Sequence, residues 1–234
     1  MAAVTSNPSA SRPPAPNRAA AAVLLVALAL FLVLHALAAL VYPGGTFCDP
    51  SADQYRFWGN FFCDLTQPVT QRGADNSRAR LFAEASFVCF SVALAPFFWV
   101  LGGRMGRSLG RVTRVSGLIS ALGTNVIAWL PSRVSPELHQ LAVFSAALPG
   151  LLAVSCGVYG LLGRGSVPST RPLALRVSRV LGVLALVFGA ADAAYYAYAV
   201  GAPGCHVWLP ALQKVAALCL IGWMGSVAEL GFRR

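Results

Sequence analysis

Long uninterrupted apolar runs constrain this chain more than any other feature of its sequence. The first extends from Ala19 to Tyr42, and His35 is the only polar side chain within it. A helix needs about 20 apolar residues to cross the hydrocarbon core of a bilayer, so this run is long enough. Further runs of this kind lie approximately at Leu81 to Gly102, Val112 to Leu130, Leu141 to Gly163, Val177 to Val200 and Leu209 to Leu230.

The overall composition agrees with a lipid-embedded fold. Of the 234 residues, 57% are hydrophobic and 11% are charged, which is too few ionisable side chains to cover a soluble globule of this size. The runs are continuous and rich in Ala and Leu, whereas the strands of an outer-membrane barrel alternate apolar and polar residues. The sequence therefore predicts an all-α fold, a polytopic membrane bundle of about six transmembrane helices.

The predicted domain organisation follows from these runs. Residues 1–18, rich in Ala, Ser and Pro, are expected to form a disordered cytoplasmic lead. Residues 19–234 are expected to form the six-helix membrane domain, with an outward loop at 43–80. A cleaved signal peptide that includes the first run is the alternative, which leaves five spans, although the run exceeds the usual h-region of about 7 to 15 residues.

The formal charge of +10 is distributed unevenly between the connections. The second and fourth connections are rich in arginine and contain no carboxylate, whereas the first, third and fifth, taken together, carry acidic residues alongside basic ones. This alternation follows the positive-inside rule and predicts cytoplasmic N and C termini in a cell membrane, the inner membrane in a Gram-negative source. It also accounts for the charge without a nucleic-acid partner. The arginines that carry the pattern include Arg104, Arg107, Arg111, Arg114, Arg164, Arg171, Arg176 and Arg179.

Several spans carry a polar side chain at a similar depth, within about 5 to 12 Å of their outward ends at 1.5 Å per residue. Ionisable groups are costly inside a membrane and usually mark a site or a partner. One interpretation is an outward-opening cavity lined by these groups. The other is a buried Asp192–Lys214 ion pair that fixes two helices, with the remaining groups bonded at the rim. The residues are His35, Glu84, Asn125, Asp192 and Lys214.

The outward loop at 43–80 contains an aromatic cluster that includes Trp58. Aromatic rings favour the headgroup region, so the cluster is either an interfacial anchor or a lid over a binding cavity. Cys48, Cys63 and Cys205 are all expected to face outward. A Cys48–Cys63 disulfide is the pairing considered first, although a third thiol leaves the pairing open.

Motifs that would indicate catalysis are absent. The chain has no H-E-x-x-H, no G-x-S-x-G and no P-loop, which argues against a zincin, an elbow-type serine hydrolase and a nucleotide enzyme. The spacing of the three histidines, His35, His139 and His206, does not demand a metal. We therefore predict no metal and no cofactor, and we favour a protein that is not an enzyme.

Short motifs along the chain resemble a family of six-helix prokaryotic membrane proteins, catalogued as domain of unknown function 998. The resemblance implies the same topology and a candidate polar patch made of Asn60, Asp64, His139 and Lys214. Cys63 departs from the pattern, because the family more often has a serine there. The matching motifs are Tyr42-Pro43-Gly44-Gly45, Asn60-Phe61-Phe62-Cys63-Asp64-Leu65, Asn76 before Leu81-Phe82, His139 after Pro131, and Gln213-Lys214.

Three functions compete at this point. The first is an outward-facing polar cavity that binds or acts on a lipid or a small apolar molecule. The second is a non-enzymatic regulator that sequesters a cytoplasmic partner such as a sigma factor, through the lead and the arginine-rich connections. The third is a transporter, which the absence of an internal repeat disfavours. The bilayer is a partner in each case.

Overall fold

Six α-helices form from the six apolar runs, and most begin a turn before the run that predicts them. The computed structural model describes residues 18–163, 172–202 and 204–232, and these residues contain no β-strand. A short 3-10 helix (Phe62–Thr66) lies between the first two α-helices. The α-helices are α1 (Arg18–Leu40), α2 (Ser77–Gly102), α3 (Arg107–Trp129), α4 (Pro136–Leu162), α5 (Pro172–Gly201) and α6 (Trp208–Phe232).

Two of the predictions concern residues that lie largely outside the described ranges. The disordered lead lies outside the described residues except for Arg18, the first residue of α1. Arg164 and Arg171, which belong to the predicted contact surface of a cytoplasmic regulator, also lie outside them.

Five of the six described helices are long and apolar enough to cross a membrane, and α3 is the exception. Helix α3 has 23 residues, as many as α1, but several of its side chains are small and polar. Thr113, Ser120 and Thr124 are buried in the bundle. The hydroxyls of Thr113 and Thr124 donate hydrogen bonds to carbonyls one turn earlier in α3. Buried hydroxyl side chains therefore account for part of the low hydropathy of α3, together with three arginines in the first half of the helix.

The helices follow one another around a closed ring. Packing is closest between α1 and α2, α2 and α3, α3 and α4, and α5 and α6. Helices α4 and α5, and α1 and α6, meet along fewer residues and complete the ring. An even number of antiparallel helices places the first, third and fifth connections at one end.

Those three connections contact each other and form a cap, which we define as residues 41–76, 130–135 and 204–207. The amide of Gln67 donates to Ser132 Oγ at 3.0 Å, joining the first connection to the third. A disulfide between Cys48 and Cys205 joins the first connection to the fifth. The long first connection therefore holds both shorter ones in place.

The end of the ring opposite the cap is densely packed. Trp223 and Met224 of α6 and Phe97 of α2 are completely buried there. The rings of Phe97 and Trp223 meet edge to face, with centroids 5.2 Å apart. Leu24 and Leu28 of α1 pack into the same cluster. This core closes the interior of the ring on the side away from the cap.

Helices α3 and α4 approach closely at Gly123, which gives a test of the packing. A Cβ atom at Gly123 would lie 2.8 Å from the backbone N and Cα of Ala146. We expect Gly123→Ala to force the two backbones apart and to cost about 1–3 kcal/mol of stability. Thermal melting of the purified protein in detergent measures the effect.

Gly225→Ala is the matched control, because nothing lies within 4 Å of a Cβ atom at that helical position. Alanine also favours a helix over glycine by about 1 kcal/mol, so this variant should melt at or above the wild-type temperature. Equal melting temperatures for the two variants would contradict the close approach of α3 and α4.

Candidate functional site

A cavity of about 240 Å³ lies at the centre of the ring. All six helices contribute to its wall, and Phe62 of the 3-10 helix also lines it. Aromatic and small apolar side chains make up most of the lining, and Asp192 is its one ionisable residue. One residue from each helix in turn is Phe31, Phe90, Ser120, Ala147, Asp192 and Gln213.

Asp192 of α5 and Gln213 of α6 contribute a carboxylate and an amide to the lining, which also contains the hydroxyls of Ser120 and Thr124, and we call Asp192 and Gln213 the polar corner. Gln213 Oε1 accepts a hydrogen bond of 2.9 Å from the Phe62 N–H, which ties the 3-10 helix to α6. The same bond fixes the orientation of the amide, so Gln213 Nε2 has no acceptor among the described residues. The Asp192 carboxylate has neither a hydrogen bond nor an ion pair within the same residues. The corner thus presents a free donor and a free acceptor.

A second cavity, a groove of about 580 Å³, lies between α1, α6 and the cap. Its lining includes His35, and it shares Phe31, Phe62 and Ala217 with the central cavity. Ser86 donates its hydroxyl hydrogen to the Ala83 carbonyl, so His35 Nδ1–H is the donor in the 3.4 Å contact with Ser86 Oγ. Because they share three lining residues, the groove and the central cavity lie side by side with a common wall.

Lys214 anchors the first connection to α6. Its side chain is completely buried, and its ammonium donates a 2.6 Å hydrogen bond to the Asn60 carbonyl. The ammonium also lies 4.0 Å from the centroid of the Phe62 ring and 5.7 Å from that of Phe57, within the range of cation–π attraction. Lys214 therefore holds the cap from below and lines neither cavity.

Asn60 and Asp64 complete this cluster from within the cap. Asn60 Nδ2 donates to the Gly45 carbonyl at 2.8 Å and to Asp64 Oδ2 at 3.0 Å. The backbone N–H of Phe61 also donates to Asp64 Oδ2. Burial raises the pKa of the Asp64 carboxyl, while these hydrogen bonds and the positive charge of Lys214 act in the opposite direction. The cluster fixes the conformation of residues 60–64.

Comparison of the chain with protein-family models, curated proteins and solved structures finds no match. The site is therefore interpreted from its own geometry.

The Asp192–Lys214 ion pair expected from the sequence is wrong. Both side chains are described, and no salt bridge joins them. Lys214 is directed instead to the Asn60 carbonyl and the face of Phe62. Depth along the helices does not specify the direction in which each side chain points.

The eight predicted cavity residues fall into four groups. Asp192 lines the central cavity and His35 lines the groove. Asn60, Asp64 and Lys214 meet in the cap cluster. The remaining three line neither cavity: Glu84 pairs with Arg80 one turn earlier in α2, His139 Nδ1 bonds the Leu130 carbonyl, and Asn125 is half-buried on α3.

The predicted Cys48–Cys63 disulfide is also wrong, since Cys48 pairs with Cys205. Cys63 is a free thiol in the 3-10 helix, and burial raises its pKa to about 12. The cysteine that completes the pair comes from the fifth connection, 157 residues away in sequence. Only the arrangement of the three connections in one cap brings these thiols together.

Sequence reasoning missed two residues that organise the site. Gln67 donates to the Cys63 carbonyl and to Ser132 Oγ, and its Oε1 accepts from the Arg133 N–H. Nothing in its local sequence distinguishes it from an ordinary loop glutamine. Phe62 borders both cavities and contacts Lys214, whereas it was not among the cavity residues predicted from the sequence. Its position next to Cys63 in the family-like motif was the one available signal.

Proposed function

We propose that this protein binds a lipid or a small apolar molecule in the central cavity of its helix ring. The observation that carries the proposal is the cavity itself, which is surrounded by all six helices and has a largely apolar lining with one polar corner. Ligand sites are typically concave and mostly apolar, with a few polar groups that orient the ligand. A single ionisable residue in the lining favours binding over catalysis.

The proposed setting is a cell membrane that the chain crosses six times, with both ends in the cytoplasm. The five apolar helices support insertion in a membrane, and we place α3 as the sixth crossing because its hydroxyl side chains at Thr113, Ser120 and Thr124 are buried in the bundle. The connection between α2 and α3 carries arginine without carboxylates, while the cap contains Asp49, Asp53 and Asp75. The positive-inside rule then directs the cap outward.

The groove is the proposed entry route for the ligand. It lies beside the α1–α6 contact, one of the two less extensive contacts in the ring, where lipid would surround the protein. Phe31 and Phe62 border both the groove and the central cavity. Rotation of these rings would connect the two spaces and admit an apolar molecule sideways from the bilayer.

Photolabelling in phosphatidylcholine nanodiscs tests the proposal. The probe is a ten-carbon alkane that carries a diazirine, and mass spectrometry locates the labelled residues. We expect saturable labelling of cavity-lining residues such as Val154 and Leu220, suppressed by excess unlabelled decane. Ala147→Phe should reduce this labelling at least about fivefold, because the ring fills the cavity beside α4.

Leu152→Phe is the control, since it adds the same ring to the exposed face of α4. It should label as the wild type does. Labelling confined to lipid-facing residues, or labelling that excess decane does not reduce, would contradict a binding cavity.

We also propose membership of the family of domain of unknown function 998. Its support is that residues from two separate motifs of the resemblance meet in one cluster, Asn60 and Asp64 from the first and Lys214 from the second. The Gln213 beside Lys214 bonds the backbone between Asn60 and Asp64.

A further inference from the structure

The polar corner of the central cavity indicates the chemistry of the ligand, if the cavity binds one as proposed above. Asp192 projects an acceptor into an apolar space, and no described residue donates to it. A carboxylate in such surroundings is costly to leave without a hydrogen bond. A ligand group that donates a proton to Asp192 would remove that cost.

Gln213, the other residue of the polar corner, adds a second requirement. Because Gln213 Oε1 already accepts from the Phe62 N–H, its Nε2 is the group left to bond a ligand. An amide N–H seeks an acceptor. A hydroxyl satisfies both neighbours, since it donates one hydrogen bond and accepts others, whereas an ammonium only donates and a carboxylate only accepts.

The charges near the polar corner also favour a neutral hydrogen-bond donor. Lys214 follows Gln213 directly in α6, and its ammonium is committed to the Asn60 carbonyl and to two aromatic rings. Asp192 has no hydrogen bond within the described residues, and a neutral donor supplies one without adding a second cation to this part of the protein.

We propose that the cavity selects an apolar molecule with a hydroxyl group, which donates to Asp192 and accepts from Gln213. A lipid alcohol is the chemical class that fits. A fatty-acid anion would meet the Asp192 carboxylate, and an alkylammonium ion would meet Gln213 Nε2 with no acceptor to offer. This inference rests on the proposed function and adds the ligand class.

Four diazirine probes with the same ten-carbon chain test the selection in phosphatidylcholine nanodiscs: an alcohol, an amine, a carboxylate and the plain alkane. The measurement is the probe concentration that half-saturates labelling of the cavity residues. We expect the alcohol to require at least about tenfold less than each of the other three, as a hydrogen bond to a charged group implies.

Two variants connect the preference to Asp192. Asp192→Leu should remove the preference for the alcohol over the alkane, while Asp192→Asn, which keeps an acceptor oxygen, should retain part of it. Asp53→Leu is the control, because Asp53 is an exposed carboxylate in the cap. Saturable alkane labelling in every variant shows that the ring remains folded with its cavity intact.

The outcomes separate the two proposals. Equal half-saturation by all four probes in the wild-type cavity overturns the ligand class and leaves the binding function in place. A preference for the amine or the carboxylate overturns it as well, as does an alcohol preference that persists in Asp192→Leu. The absence of saturable cavity labelling by every probe overturns the binding function itself.

Discussion

Loss of the Cys48–Cys205 disulfide is expected to lower the stability of the protein by about 2–3 kcal/mol. The bond closes a loop that spans 157 residues, for which a chain-entropy estimate gives about 5 kcal/mol. Helices that remain inserted in the bilayer already limit the conformational entropy of the reduced, unfolded chain. The disulfide therefore removes less entropy, and the smaller stabilisation is expected. Cys48→Ser, Cys205→Ser and reductant treatment should all lower the melting temperature.

Cys156→Ser is the matched control for this prediction. Cys156 is a free thiol on α4, so its substitution should change the melting temperature little, and reductant should still destabilise that variant. Alkylation of Cys48 and Cys205 in protein isolated without reductant would contradict the disulfide. The same result would weaken the proposed outward direction of the cap, since disulfides persist in oxidising compartments.

Substitution of Lys214 by methionine is expected to detach the cap from α6. Methionine fills a similar volume but leaves the buried Asn60 carbonyl without its donor, which costs about 1–3 kcal/mol. It also removes the positive charge that stabilises the buried Asp64 carboxylate. Removal of one partner from a buried charged network usually outweighs the gain from a less polar side chain. The net expectation is a loss of about 2 kcal/mol.

Arg72→Met is the control, because Arg72 is exposed in the cap and its guanidinium donates to the Pro43 carbonyl at the surface. Its melting temperature should stay within about 1 °C of the wild-type value. A Lys214→Met variant that melts like the Arg72→Met variant would show that the Lys214–Asn60 bond contributes nothing to stability.

Lys214 also offers a direct measurement of cap opening, since it is the only lysine in the sequence. An amine-reactive reagent should leave it unmodified in the folded protein and modify it after denaturation. In Cys48→Ser the rate of modification should rise, because the cap then opens more often. Rapid modification of the intact wild-type protein would contradict the burial of Lys214.

The sequence predicted the helices well, because apolar runs of about 20 residues rarely form any structure other than a helix. It placed most helix starts late: α2 begins at Ser77 rather than Leu81, and α4 at Pro136 rather than Leu141. The first turns that the prediction left out consist mainly of polar residues. They extend the helix through backbone hydrogen bonds but do not lengthen the apolar run. Helix α3 likewise begins at Arg107 rather than Val112, and its arginines and buried hydroxyls lower its mean hydropathy although it packs like its neighbours.

The site was predicted only in part. Rise along a helix placed Asp192 and Lys214 at a similar level, but which way each side chain points depends on helix rotation, which depth does not specify. Asn60 and Asp64 were identified through motif resemblance, yet their partners include the Gly45 carbonyl, which no side-chain pattern reveals. The Cys48–Cys205 pairing required knowledge of how three connections meet.

Phe62 links parts of the protein that otherwise lie apart. Its ring borders the central cavity and the groove, its face meets the Lys214 ammonium, and its edge meets the His35 ring with centroids 4.7 Å apart. Its backbone N–H is held by Gln213 at the polar corner. Any molecule that displaces this ring also disturbs the contacts that anchor the cap, so occupancy of the interior would be transmitted to the exposed surface through one side chain.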